Sequence, residues 1–330
     1  MIRRPYSRWL RGSMPMAEHG TAGKDANAMA PPVTLRIELA GRTVGRIRRR
    51  LRTLSLTLSD VLGEAVPALP PPGADGYLLR SFPAAAIPAL YDKLPGWLLF
   101  ARQYYPRHHV VMVDGDFDRW WQGFSARTRS TLSRKARRLA DRFDGGFTIE
   151  ACRTPDEVRH FMTAAQLLAR RTYQARLLGA GLPTDEAAVI RAVAAAEEDA
   201  LRCFLLVADG RAIAYLYLPV RDDVLIYAHL GYDPDFADLS PGTVLHVEAM
   251  RRLYAERRFR AFDFTEGDGA HKAQFGRAAV PCADVIALRA TLRNRLALAA
   301  LRGADGFARR AKMLAARAGI VASLRKWVRR

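Results

Sequence analysis

Apolar and polar positions divide the chain into an aperiodic start, a weakly patterned first half and a strongly patterned second half. Residues 1–33 are rich in Gly, Ala, Met, Pro and Arg without periodicity and read as a flexible arm ending at Pro31-Pro32. From 34 to 117 the pattern is β-like. TLRIEL (34–39), YLLRSF (77–82), WLLFARQYY (97–105) and HVVMVDG (109–115) are short β-prone runs, the later ones bounded by Pro or Gly. ALPPPGADG (68–76) is a loop, and RIRRRLRTLSLTLSDVL (46–62) carries no assignable period. Residues 118–143 read as mostly helical and basic, closed by Gly145-Gly146.

From 147 onward the rhythm is cleaner. FTIEACR (147–153) reads as a strand, and Thr154-Pro155-Asp156-Glu157 is a capping box with proline at the first helical position. Val158, Phe161, Met162, Ala165 and Leu168 follow at helical spacing, and a Gly/Pro loop (Gly179, Gly181, Pro183) leads to a second helix over 184–200. Three strands, 202–210, 211–220 and 224–234, are joined by short polar turns, with Asp209-Gly210 as a hairpin signal. A helix over about 241–257, a strand 259–264, a short helix around 271–276 and a strand 283–290 complete the set. The predicted order is β-α-α-β-β-β-α-β-α-β. The tail from 291 reads as basic amphipathic helices, broken near Gly303–Gly306 and Gly319.

Composition excludes several classes. The 330 residues are 50% hydrophobic and 26% charged, which is ordinary for a folded chain of about two domains. Cys152, Cys203 and Cys282 lie far apart with no C-x-x-C pair, which argues against a disulfide framework or structural zinc and fits a reducing cytoplasm. No apolar run reaches the length of a membrane span, and the basic N-terminus lacks the apolar stretch of a secretory signal. Of the net charge of +19, residues 125–142 carry +6 and residues 289–330 carry +11, so the remainder is nearly neutral. Two basic segments on a neutral body argue against binding to nucleic acid over the whole surface. They fit an anionic partner or membrane surface met through particular faces, or simply solvated faces.

The most informative stretch for chemistry is HLGYDPDFADLSPGTVLHVEAMRRL, where a strand, a loop and a helix start follow in turn. Ser240 is placed as N-cap and Pro241 at the first helical position. The N–H groups of Gly242, Thr243 and Val244 are then expected to be unpaired, forming a site for a phosphate or pyrophosphate. Ser-Pro-Gly also opens many helices that bind nothing. Nucleotide-hydrolase, dinucleotide-binding and serine-hydrolase motifs are missing, and the seven histidines show no metal-ligand spacing. His108-His109 are adjacent in a strand-like run and point to opposite faces, so no metal site is expected.

YAHLGYDPDFADLSPGTVL followed by FDFTEGDGAHKAQFG resembles the GNAT acyltransferases, in particular the CelD/BcsL-type branch associated with cellulose and exopolysaccharide synthesis. The resemblance is firm over about 145–290, weaker over 75–145 and absent from the first 33 residues and the tail. One departure is His271, where that branch often has tyrosine before the lysine. The resemblance implies an α+β GNAT fold, tandem with a degenerate N-terminal half. It implies the degenerate half (34–117), a basic connecting helix (118–145) and the catalytic domain (146–290), between the arm (1–33) and the basic tail (291–330) read from the residues themselves.

It further implies acetyl-CoA or another acyl-CoA as donor, its pyrophosphate on residues 240–244 and its pantetheine along the preceding strand, whose main-chain N–H serves the oxyanion. Glu266 and Asp268 would lie at the cleft mouth as proton acceptors, with His229 as a second base and His271 as a proton donor to the departing thiolate. Lys272, Tyr227 and Tyr232 would face the acceptor, and Asp263 would support the strand. For each the bland alternative is a packed or solvated bystander. The expected acceptor is an amino or hydroxyl group of a sugar, polysaccharide precursor or envelope metabolite. The expected location is cytoplasmic or peripheral at the inner membrane face through 291–330. Aminoacyl transfer from a charged tRNA by a FemAB-type enzyme, and a non-catalytic scaffold for a membrane-bound polysaccharide synthase, are the competing readings.

Overall fold

The structure, a computed structural model, describes residues 33–39, 42–64, 66–113, 115–143, 146–170, 181–183, 185–267 and 269–317. The expected N-terminal arm up to residue 32, Asp268 and the end of the basic tail lie outside these residues. Two compact units emerge among the described residues, one from 107–279 and one from 33–106 with 280–317. The basic helix therefore groups with the patterned second half, and the last strand and helix group with the first.

The unit that starts the chain opens with strands β1 (Val33–Leu39) and β2 (Arg42–Arg49), paired antiparallel. The unassigned stretch after them resolves into β3 (Leu51–Ser55) and helix α1 (Leu58–Leu62), the latter started by a Thr57–Asp60 capping box. β4 (Gly76–Pro83), α2 (Ile87–Lys93) and β5 (Leu98–Val111) follow. The two β runs expected at 97–105 and 109–115 are one strand, which continues through Pro106.

Residues 107–279 hold the strongly patterned part. α3 (Phe117–Gln122) and α4 (Ala126–Arg142) divide the predicted basic helix at Gly123, with Ser125 capping α4 through the Thr128 N–H. β6 (Thr148–Cys152) leads to α5 (Pro155–Ala169), whose Thr154–Glu157 capping box forms as expected. Next come α6 (Glu186–Glu197), β7 (Leu201–Ala208), β8 (Arg211–Arg221), β9 (Val224–Ile226), β10 (His229–Tyr232), α7 (Pro241–Ala255), β11 (Ala261–Asp263) and α8 (Ala270–Phe275). The strand order is β6-β7-β8-β9-β11 followed by the end of β5, with β10 beside β8. Only β9 and β11 run parallel within this set; the other pairs are antiparallel. Val158, Phe161 and Met162 of α5 pack with Tyr215 on one face, and α7 buries Leu245, Met250 and Leu253 against Phe262 and Leu225 on the other.

The strand expected over 224–234 is in fact two pieces. Val220 faces Leu225 and Tyr217 faces His229, so Leu218 and Pro219 of β8 oppose three residues, 226–228. That one-residue excess is a β-bulge, and Pro219, which has no N–H to give to the ladder, sits opposite it. The bulge also inverts the faces. Leu225 before it and Tyr227 within it pack into the α7-side core, whereas after it Leu230 and Tyr232 are the residues that approach Gly242 of α7.

The chain then returns to the first unit through β12 (Ala278–Leu288), which lies between β4 and β5, and α9 (Leu292–Arg317). The tail expected to break near Gly303–Gly306 is one helix of 26 residues through both glycines. Its inner side supplies the reason. Leu301 packs with Leu35, Arg102 grips Asp305 through two hydrogen bonds of 2.7 and 2.8 Å, and Arg49 donates to Asn294. Tertiary contacts thus override the glycine propensity.

Gly231 is the tightest position on β10, because an added Cβ would fall 2.3 Å from the fully buried Tyr215 ring. Gly231→Ala is expected to destabilise the protein by about 1–3 kcal/mol through overpacking, read as a lower urea midpoint; an unchanged midpoint would contradict this packing.

Candidate active site

At the bulge the sheet parts. β9 stays with β11 as far as Ile226 opposite Asp263, where the Tyr227 N–H donates to the Asp263 carbonyl at 2.9 Å. Beyond that point β10 follows β8 alone, while the Phe264 N–H turns to the His108 carbonyl at 3.0 Å. The Asp233 N–H donates to Ile213 at 2.8 Å, which fixes the antiparallel alternation. His229 and Gly231 direct their main-chain groups to β8, and those of Leu230 and Tyr232 point toward the edge that no described strand covers. A strand edge with outward N–H and C=O groups can pair with an extended, amide-containing ligand.

Asp263 anchors the opposite side of the parting. Arg107 clamps its carboxylate through bonds of 3.2 and 2.6 Å, and the two side chains are only 7% and 2% exposed. The same carboxylate accepts the Thr265 N–H at 2.8 Å and starts the turn leading to α8. The expectation that Asp263 supports the strand matches this position. Arg107, its partner, lies between the two predicted β runs and carried no signal in the sequence.

The helix start differs from the expectation. Ser240 occupies the N-cap position of α7 in a left-handed conformation (φ 56°, ψ 48°), but its side chain makes no capping bond. Its carbonyl accepts the N–H groups of Thr243 at 3.0 Å and Val244 at 3.3 Å. The expected row of three unpaired amides is therefore reduced to Gly242, whose N–H meets no acceptor among the described residues. Pro241, Gly242 and Val244 are buried, and Thr243 is partly exposed. Gly242 also has a packing reason, since an added Cβ would come within 2.8 Å of Leu230 and 3.3 Å of Tyr232. A cavity of about 190 Å³ flanks this turn between α4 and α7, reached by Ser133, Thr243 and Val247. The two charged groups at its wall, Glu248 and Arg251, pair at 3.7 Å, so the cavity alone is not an anion site.

On the α7 side of the parting lies a cluster of rings that sequence reasoning missed in part. Tyr227 stacks among His246 (5.9 Å), Phe264 (5.5 Å) and His271 (5.5 Å). His246 is 2% exposed, and neither ring nitrogen has a hydrogen-bond partner among the described residues. Burial, with His271 nearby, drives its imidazole down to about 3, so it is neutral at pH 7. Nothing in the sequence singled it out.

His271 is exposed, with its ring resting near Tyr227. Partial desolvation there, with Lys272 and His108 close by, lowers it to about 4. As a neutral imidazole it suits a proton acceptor better than the proton donor expected from the sequence. Lys272 reaches back to the Glu266 carbonyl at 2.5 Å and the Thr265 hydroxyl at 3.4 Å. Burial lowers its ammonium to about 8 despite the opposing pull of Asp263 and Glu266. Burial raises the Tyr227 phenol, which stays protonated.

The structure thus brings Tyr227, Glu266, His271 and Lys272 to one side of the parting. His229 sits on the other face, 5.9 Å from Tyr217, which in turn stacks on Phe161 of α5. Tyr232 is 40% exposed beside Gly242. Asp268 lies outside the described residues. Among those residues no cluster of three metal-ligating side chains occurs.

Against this geometry the comparisons are informative. The acetyltransferase (GNAT) domain family matches residues 126–273, so the chain carries a GNAT-type acetyltransferase domain over that range. No curated protein matches the chain in sequence. Among solved structures, FemX is 12% identical and superposes over 82% of this chain and 90% of its own with a TM-score of 0.51. L-PGS from Bacillus licheniformis is 14% identical over 68% of this chain and 71% of that one, with a TM-score of 0.44. A GCN5-related N-acetyltransferase from Kribbella flavida is 15% identical over 62% and 63%, with a TM-score of 0.32. At 12% identity the FemX likeness speaks to the fold alone, and the GNAT domain rests on the family match over residues 126–273.

Two outcomes follow from the electrostatics. In an NMR titration of labelled lysines, one resonance, absent from Lys272→Arg, is expected to titrate near 8 and not at the ordinary lysine value of 10.5. Between those values the unfolded chain binds more protons, so stability should rise with pH from about 8 toward 10.5; a Lys272 resonance titrating normally would contradict its burial. His246→Phe removes two desolvated nitrogens without changing the ring volume greatly, and is expected to leave the thermal midpoint equal or higher. A loss of more than about 2 kcal/mol would mean that the imidazole makes hydrogen bonds in solution that sustain the fold.

Proposed function

We propose that the chain transfers an acyl group, acetyl in the simplest case, from acyl-CoA directly to an amino or hydroxyl group. The acceptor in this reading is a sugar, a polysaccharide precursor or a related envelope metabolite. The single observation that carries the reading is the parting of the sheet between β10 and β11, beside the first turn of α7 and within the matched acetyltransferase domain. The pantetheine arm is an extended chain with two amides, and the outward main-chain groups of Leu230 and Tyr232 form an edge it can pair with.

The chemistry needs a deprotonated nucleophile, a stabilised oxyanion and a thiolate that can leave. The acceptor attacks the thioester carbonyl carbon, and its proton passes to a base on the Tyr227 side of the parting. The carbonyl oxygen takes up negative charge, for which an N–H of the β10 edge is the donor, and collapse expels the CoA thiolate. Glu266, Asp268 and the neutral imidazole of His271 are the candidate bases, with His229 available from the other face. Lys272, half-deprotonated near pH 8, would meet an anionic or carbonyl group of the acceptor. The Tyr227 phenol can return a proton to the leaving sulfur. Ser240, Pro241, Gly242, Thr243 and Val244 hold the pyrophosphate in this reading through the helix dipole and the Gly242 N–H rather than through three free amides.

A second reading is favoured by one feature. Arg127, Arg134 and Arg137 on α4 are exposed and make no ion pair among the described residues, a surface that RNA phosphates would suit. Aminoacyl transfer from a charged tRNA would then require tRNA, dispense with CoA and fall steeply with salt.

Gly242 is a poor place to test donor binding, because any side chain there strikes Leu230. Thr243→Glu puts a negative charge on the same turn at a partly exposed position. It is expected to weaken acetyl-CoA binding at least roughly ten-fold in calorimetry with the fold intact. Glu266→Gln combined with Asp268→Asn is expected to keep donor binding and lower turnover roughly a hundred-fold or more. Unchanged affinity in the first variant would remove the donor site from the turn, and normal turnover in the second would remove both carboxylates from the mechanism.

A further inference from the structure

The last helix carries a second, outward-facing apolar stripe that none of the described residues covers. Leu292, Leu296 and Phe307 are 74%, 64% and 63% exposed. At 100° per residue they fall on one line of α9, joined by the exposed Ala299 and Gly303, and the stripe runs roughly 22 Å along the helix. The opposite side, with Asn294, Ala297, Leu298 and Leu301, is buried against its own unit. The exposure is therefore a property of a helix that is already docked.

Charge identifies the occupant. Arg293 flanks the stripe on one side and Arg295 on the other, Arg310 closes its far end, and all three are exposed without an ion pair among the described residues. The one acid between 289 and 330, Asp305, is spent on Arg102. A second copy of the chain would bring the same arginines face to face and repel. A nucleic acid would use the arginines and leave the leucines in water. An anionic lipid surface takes both, with the apolar stripe at the headgroup–acyl boundary and the arginines at lipid phosphates.

We infer that α9 is a membrane-surface docking helix, which seats its unit on anionic lipid through Leu292, Leu296 and Phe307 between Arg293, Arg295 and Arg310. The helix lies on the membrane and does not span it; among the described residues no helix is long and apolar enough to cross. The inference is independent of the acyl donor proposed above.

The test is flotation of the full chain with vesicles of phosphatidylcholine alone, and of phosphatidylcholine and phosphatidylglycerol in equal parts, at low and high salt. The chain is expected to float with the anionic vesicles and to retain part of that binding at high salt. The triple variant Leu292→Ser, Leu296→Ser, Phe307→Ser alters only exposed side chains and is expected to lower partitioning at least roughly ten-fold. A Cβ added at Gly303 would meet nothing within 4 Å, so Gly303→Leu extends the stripe and is expected to raise partitioning. Three results would overturn the inference: no flotation with anionic vesicles; flotation of the triple variant equal to that of the native chain, which would mean charge alone binds; or self-association, lost in the triple variant, without lipid binding.

Discussion

The site rests on a count that does not match. Two residues of β8 face three of the opposing strand, and the turned-over end of that strand follows from the excess. The extra residue turns the later part of the strand over, so that Leu230 and Tyr232, rather than their neighbours, meet the first turn of α7. It also frees the strand from β11, because a bulge increases local twist and ends regular pairing. On the far side, the buried Arg107–Asp263 pair fixes where β11 stops. Removing either partner would leave a charge in the core, at a cost of about 3–5 kcal/mol. The opening is thus bounded by a backbone irregularity on one side and a buried ion pair on the other.

Burial gives the neighbouring side chains their chemical character. Packing among Tyr227, Phe262, Phe264 and Phe275 disfavours any charged form, so His246 and His271 are neutral imidazoles and Lys272 needs less energy than a surface lysine to lose its proton. Bases held neutral are unprotonated at pH 7, which a proton acceptor in acyl transfer has to be. The same low-polarity surroundings strengthen any main-chain N–H aimed at a developing oxyanion. Electrostatics and the open strand edge therefore point to the same class of reaction.

Much of this was legible in the sequence because local chemistry and tertiary structure agree over residues 147–290. The Thr154–Glu157 capping box, the Asp209-Gly210 turn and the helical spacing of Val158, Phe161, Met162, Ala165 and Leu168 each specify an element by themselves, and the structure forms each one. The features that escaped depend on partners far away in the chain. No periodicity reveals the bulge, since residues 224–234 are β-prone throughout; only Pro219 on the partner strand hints at it. Arg107 acquires meaning only beside Asp263, and His246 only within a ring cluster drawn from three separate elements. The free amides expected at 242–244 failed because capping rules do not foresee a left-handed Ser240, whose carbonyl takes up Thr243 and Val244. Gly303 and Gly306 were read as breaks, yet the inner side of α9 holds the helix through them.

The central claim is that the uncovered edge of β10 receives an extended thioester donor. Amide hydrogen exchange resolved to single residues, with and without acetyl-CoA, tests it most directly. Leu230 and Tyr232 should exchange fast in the free protein and slow markedly when the donor is added, while His229 and Gly231, already bonded to β8, should change little. Equal exchange at Leu230 and Tyr232 with and without saturating donor would contradict the account.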